Sequence, residues 1–144
     1  MDEYKRAAGV AIIFGNSVLL AKRIKEWEGK PVPYGGYWSV FGGMVEEGEA
    51  PFKTASRELM EEAQINAPVY DLKFIKSFHE DGLDFIFYIH EASELLIPKL
   101  NFEHTEYGWF DIEELDRFQE DIDPKIIECI NLYITRRGLE KNSS

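Results

Sequence analysis

Residues 43–65 read GMVEEGEAPFKTASRELMEEAQI, and the way this stretch folds decides how the rest is arranged around it. Pro51 suits the first position of a helix, where its missing N–H would have no intrahelical partner anyway. Phe52, Ala55, Leu59 and Ala63, with Ser56 and Met60 alongside, recur every three or four residues and predict a helix over 51–63 with one apolar face. Ala50, at the capping position, has no side-chain oxygen to accept a backbone N–H, so this start is weaker than it could be. Glu58, Glu61 and Glu62 stand at i, i+3 and i+4, which sends three carboxylates to one face beside the apolar stripe. Each like-charge pair at that spacing costs a helix about 0.2–0.5 kcal/mol. Glu46, Glu47 and Glu49 add to the same negative field. A solvated face is the ordinary fate of a Glu-Glu pair in an acidic protein. A hard divalent cation would reverse the sign of the interaction, because Mg2+ takes oxygen ligands and binds substrate phosphates.

Outward from the helix, the chain alternates between strand and turn signals. Residues 7–14 and 18–21 are apolar and partly β-branched, and they flank Gly15-Asn16, predicting a hairpin. A short strand is expected over 37–41, ending at Gly42-Gly43. Residues 24–36 are polar and rich in Pro, Gly and aromatics without a period, so a long binding loop is expected. Two strands, 72–78 and 84–90, surround an Asp81-Gly82 turn, and 107–110 forms another. A short helix is predicted over 112–118. A longer one over 124–136 ends at Gly138, with Ile126, Ile127, Cys129, Ile130, Tyr133 and Ile134 as its buried stripe. This order fits an α/β (α+β) fold, a mixed sheet with helices on its faces.

The 144 residues are 44% hydrophobic, enough for one domain over 1–140 to build a core without staples, followed by a loose tail at 141–144. One cysteine excludes an internal disulfide or a zinc cluster, and Cys129 reads as core. No leader pattern opens the chain and no apolar run approaches the ~20 residues of a membrane span, so a cytoplasmic protein is expected. A net charge of −11 disfavours long nucleic acid, and a small anionic ligand would need a local cation. His79, His90 and His104 show no metal-ligand spacing and read as structural or solvated, with His104 alone near the acidic cluster. A homodimer is left open, since nothing in the sequence names an oligomeric state.

Gly43 is followed after five residues by Glu49, after seven more by Arg57-Glu58-Leu59, and then by Glu61-Glu62 and Ile65. This pattern resembles the signature of the Nudix (MutT-like) hydrolases. The resemblance covers about 23 residues tightly. Trp38 and the later Glu106-Tyr107-Gly108-Trp109-Phe110 with Glu113-Glu114-Leu115 look like the family's pattern too. It implies a mixed sheet sandwiched between helices, and hydrolysis of a nucleoside diphosphate linked to another group with Mg2+ or Mn2+. Glu58, Glu61 and Glu62 would be metal ligands together with the Gly43 carbonyl, and Arg57 would orient the glutamates. A distal glutamate, Glu103 before Glu106, would join as ligand or base, leaving Glu61 and Glu103 as rivals for the proton. Arg23 would meet a substrate phosphate, and Trp27, Tyr34, Tyr37 and Phe78 are candidates to stack on a base. A small-molecule nucleotide is implied as substrate, foremost a nucleoside or deoxynucleoside triphosphate, an oxidised one included, cleaved to monophosphate and pyrophosphate. The alternatives are removal of pyrophosphate from RNA 5′ ends and a non-catalytic nucleotide sensor. Two positions depart from the pattern. Gln64 replaces a Gly, from which a helix running on to Asn66 is expected, and Phe41 replaces a Pro, from which a local change in the cleft wall is expected.

Overall fold

The structure, a computed structural model, describes residues 5–142. Strands β1 (Lys5–Phe14) and β2 (Ser17–Arg23) form the expected hairpin across Gly15-Asn16. Both read as continuous apolar runs because both of their faces are covered. Ala8, Val10, Ile12, Leu19 and Ala21 enter one core, and Ala11, Ile13, Val18 and Leu20 the other. The two strands pair only from Ile12 opposite Leu19 to Phe14 opposite Ser17, and beyond that they part.

The 24–36 segment is not wholly a loop. It holds a miniature hairpin, β3 (Glu26–Trp27) with β4 (Lys30–Pro31), turning through Glu28 and Gly29 at φ of 52° and 77°. The chain then enters the fork between β1 and β2. Strand β5 (Trp38–Ser39) pairs with β2, and after Val40 strand β6 (Phe41–Met44) pairs with β1. The single strand expected over 37–41 is therefore two pieces that exchange neighbours, and Gly42-Gly43 lie inside the ladder rather than after it. A Cβ on Gly42 would collide with the Ala8 carbonyl oxygen across that ladder.

Helix α1 (Pro51–Ala63) has the predicted bounds, and Ala50 caps it without a side-chain bond. It does not continue to Asn66. Gln64 itself adopts the left-handed conformation (φ 54°, ψ 38°) and returns its N–H to the Met60 carbonyl at 3.0 Å. That conformation costs a residue with a Cβ about 1–2 kcal/mol. Strands β7 (Leu72–Glu80) and β8 (Leu83–Glu91) meet at Asp81-Gly82, and β9 (His104–Asp111) lies along the free edge of β2. The sheet runs β9-β2-β1-β8-β7, with β5 and β6 in the fork and β8 parallel to β1.

The helix expected over 112–118 is only a 3-10 turn, Leu115–Arg117. Ile112 and Leu115 are buried and Phe118 partly so; this spacing of three suits 3-10 geometry better than an α-helical stripe. Helix α2 (Pro124–Asn142) runs past Gly138. An interior Gly costs about 1 kcal/mol relative to Ala, and two neighbouring arginines pin the helix here. Arg136 donates to the Phe74 and Ile75 carbonyls, and Arg137 to the Gly15 carbonyl and Asn16. Of the tail expected at 141–144, residues 141 and 142 continue the helix, and 143 and 144 lie outside the described residues.

Helix α1 packs on one face of the sheet through Ala55, Leu59 and Ala63, and α2 on the other through Ile126, Cys129, Ile130 and Tyr133. Burial pushes the Cys129 thiol up to about 12, so it serves as core and not as a nucleophile. Among the described residues no helix is long and apolar enough to cross a membrane.

Candidate active site

The acidic cluster of α1 is organised by one guanidinium. Arg57 donates from Nε and Nη2 to the two oxygens of Glu49, at 2.9 and 3.0 Å, and from Nη1 to Glu58 at 2.9 Å and Glu61 at 3.2 Å. Glu46 lies 3.7 Å from Nη2. Glu49 also accepts the Thr54 hydroxyl (2.6 Å) and the Glu46 N–H (3.2 Å). The fork from Arg57, then Thr54, holds the Glu49 carboxyl down to about 2. Glu47 is exposed in the same turn and makes none of these bonds.

The three helix glutamates do not share one environment, although their spacing suggested a single face. Glu61 is half exposed, bonded to Arg57, and does not line the cleft. Glu58 is largely covered, and burial, then repulsion from Glu61, raises its pKa against the pull of Arg57. Its carboxylate lies on Gly43, where a Cβ would come within 2.5–2.8 Å of it. Gly43 is therefore needed for the room it leaves. Glu62 is 1% exposed. Its Oε1 accepts the Gly42 N–H at 3.0 Å, and its Oε2 has no partner among the described residues. Burial, then the facing Glu103, pushes the Glu62 carboxyl up to about 10.

Glu103 reaches this site because the segment before β9 caps the end of α1. The Lys99 N–H bonds the Ala63 carbonyl at 2.8 Å and the Asn101 N–H the Glu62 carbonyl at 3.1 Å, satisfying acceptors that a helix end leaves open. The Asn101 side chain accepts the Glu103 N–H, and the Glu103 carbonyl accepts the Ile24 N–H. Glu106, the second choice, is exposed on β9 opposite Lys22, away from the cleft lining. His104 packs edge-on against Phe41 at 5.1 Å, with both ring nitrogens unpartnered among the described residues. Burial lowers it to about 4, so it is neutral. Phe41 is wholly buried, and the departure at this position alters the core rather than the cleft wall.

Beside the carboxylates opens a cleft of about 920 Å³ that includes Gly43, Glu58, Glu103 and Arg23 in its walls. Arg23, at the end of β2, spends its Nε on the Pro33 carbonyl (3.0 Å). Trp27, Tyr34 and Phe78 face the cleft and Tyr37 does not. Trp27 stacks on Phe102, ring centroids 4.4 Å apart. Sequence reasoning missed Phe102, Asp123 and Lys125, which also line the cleft. Among the described residues no three acidic or histidine side chains are gathered closely enough to hold a metal ion, and Glu58 and Glu61 are both bonded to Arg57 instead. The donor set still suits a hard cation: all oxygen, with one buried carboxylate oxygen lacking a partner among the described residues.

The family described as the NUDIX domain matches residues 3–130. A search of solved structures finds the same fold in a mutT/nudix family protein from Listeria innocua, with TM-score 0.73 and 20% identity over the whole of both chains. The MutT protein from Methanosarcina mazei Go1 gives 0.72 and 20%, covering 93% of this chain and 95% of that one. An Ap4A hydrolase from C. elegans gives 0.69 and 18%, over 93% and 98%. At these identities the likeness is one of fold. Among curated proteins, an octanoyltransferase from Myxococcus xanthus is 30% identical over 122 residues, 74% of this chain. The chain spans only 31% of that relative's length.

Proposed function

The chain belongs to the Nudix (MutT-like) hydrolase family, and from that premise we propose that it is a divalent-metal-dependent pyrophosphohydrolase of nucleoside diphosphates linked to a second group, foremost of nucleoside triphosphates. The observation that carries this reading is the buried Oε2 of Glu62, without a partner among the described residues, facing Glu103 beside a cleft. A carboxylate so placed costs folding energy that a bound cation returns. Glu58, Glu61, Glu62, Glu103 and the Gly43 carbonyl would hold Mg2+ or Mn2+, which when bound neutralises diphosphate charge and acidifies a water.

The chain's own groups do the rest. Arg57 restrains Glu49, Glu58 and Glu61 through a single planar fork, so the acidic rim does not scatter under its own repulsion. Glu103, on the cleft wall, takes the proton of the attacking water in this reading, and Glu61 does not, because it faces solvent and is engaged by Arg57. Arg23 faces the substrate's phosphates from the opposite strand end. The aromatic walls, Trp27 with Phe102 foremost, exclude water around the base.

The test is a panel of nucleoside triphosphates, dinucleoside polyphosphates and triphosphorylated short RNA, incubated with the purified protein and Mg2+, with pyrophosphate and phosphate read separately. Pyrophosphate release from a triphosphate, abolished by chelator and lowered by orders of magnitude in Glu103→Gln, is the expected result. Silence across the whole panel with either metal overturns the hydrolase reading.

A further inference from the structure

The far wall of the cleft is built by the opposite face of the fold. Trp38 accepts the Asp123 N–H and gives its own to the Asp121 carbonyl, so the first turn of α2 is docked on β5. This turn carries Lys125 into the cleft wall. Its side chain is 14% exposed, and its ammonium donates to Asp123 Oδ1 at 3.1 Å and to the Tyr34 hydroxyl at 3.1 Å. It lies 4.4 Å from the centre of the Tyr34 ring. Burial opposes the charge, but Tyr34 and Asp123 outweigh it and raise the Lys125 pKa.

A lysine ammonium has three N–H donors and no acceptor, and two are occupied here. The Tyr34 hydroxyl receives from Lys125, so its own proton is still available to give. Asp123 Oδ1 already takes both the backbone N–H and the ammonium of Lys125. The wall thus offers two convergent donors to a ligand. A purely structural role accounts poorly for a largely covered ammonium, since an ion pair taken from water gains little over an apolar replacement.

Resting on the hydrolase reading for where the diphosphate lies, we propose that Lys125 and Tyr34 are specificity-determining residues that read an acceptor oxygen at the substrate's far end. They select bases with a ring keto oxygen, as in guanine and uracil, over bases with an amine at the same place, as in adenine and cytosine.

Binding tests this without any catalytic step. Calorimetry with GMP, AMP, UMP and CMP, in chelator, is run on the wild type, Lys125→Met and Tyr34→Phe, each checked by thermal melting. The wild type is expected to bind GMP over AMP, and UMP over CMP, by about tenfold or more. Lys125→Met brings each pair within about threefold by weakening the keto member, and Tyr34→Phe loses part of the preference. Equal wild-type affinities, no GMP binding, or an undiminished preference in folded Lys125→Met overturns the proposal. A Lys125-dependent preference in a protein that hydrolyses nothing upholds it and removes the hydrolase reading; hydrolysis without the preference does the reverse.

Discussion

Replacing Glu62 by Gln should make the metal-free protein more stable, and increasingly so as pH rises. In the folded chain the Glu62 carboxyl titrates near 10 rather than 4.5, through burial and then Glu103. Between those limits the folded chain holds a proton that the unfolded chain has released, so stability falls with rising pH by about 1.4 kcal/mol per unit. Buried His104 has the opposite effect lower down. Its pKa falls from 6.5 to about 4, so over that interval the unfolded chain holds the extra proton and stability rises with pH. The Glu62 effect is therefore cleanest between about pH 6.5 and 8.5, where it amounts to about 3 kcal/mol for the Glu62–Glu103 pair as a unit. Urea unfolding in chelator, at steps across this interval, measures the difference between wild type and Glu62→Gln. It should widen steadily in favour of the variant. Adding Mg2+ should reverse the wild-type trend, because the ligand form is the ionised one. Parallel stability profiles for the two proteins would refute the argument that Glu62 is buried with a proton.

Three further outcomes follow from the geometry. Gly43→Ala should displace the Glu58 carboxylate, which leaves no room for a Cβ; turnover is expected to fall about 100-fold with the melting temperature changed far less, and steady-state kinetics with thermal melting check both. Gln64→Gly should relieve the left-handed strain and, after the entropy cost of glycine, raise unfolding free energy by about 0.5–1 kcal/mol without altering kcat. Arg57→Lys should lose the two-pronged grip on Glu49. Glu49 stabilises the fold fully above about pH 4.5 and loses that effect as pH falls through about 2, so acid unfolding of the variant, followed by circular dichroism, should begin at higher pH.

Local signals in the sequence marked α1 and both sharp hairpins, because Pro51, the stripe through Leu59, and the turns at Gly15-Asn16 and Asp81-Gly82 act on neighbouring residues. That Arg57 orients the glutamates was implied by the family resemblance, and the structure adds that Glu49 takes the two-pronged share of its guanidinium. The burial of Glu62 was not. It depends on the Asn101 segment docking at the end of the helix, a contact between residues 39 apart that no periodicity announces. Helix-end geometry at Gln64 was misjudged because the expected Gly was replaced while the tertiary cap from Lys99 and Asn101 still ends the helix there. Lys125 escaped notice for a similar reason: a lysine in the first turn of an amphipathic helix looks like any solvated charge until Trp38 fixes where that turn sits.

The exchange of neighbours at Val40 makes residues 38–44 a ruler. Ser39 borders the end where Lys125 stands and Gly43 the end where Glu58 stands, four residues or about 13 Å apart along an extended chain. That length is set by covalent bonds and by two ladders rather than by a loop. Inserting or deleting one residue here would turn every side chain to the other face of the sheet and put the Lys125 end and the Glu58 end of the cleft out of phase. Variation in what the protein accepts is therefore expected to arise from side chains at either end of this ruler, while its length stays fixed.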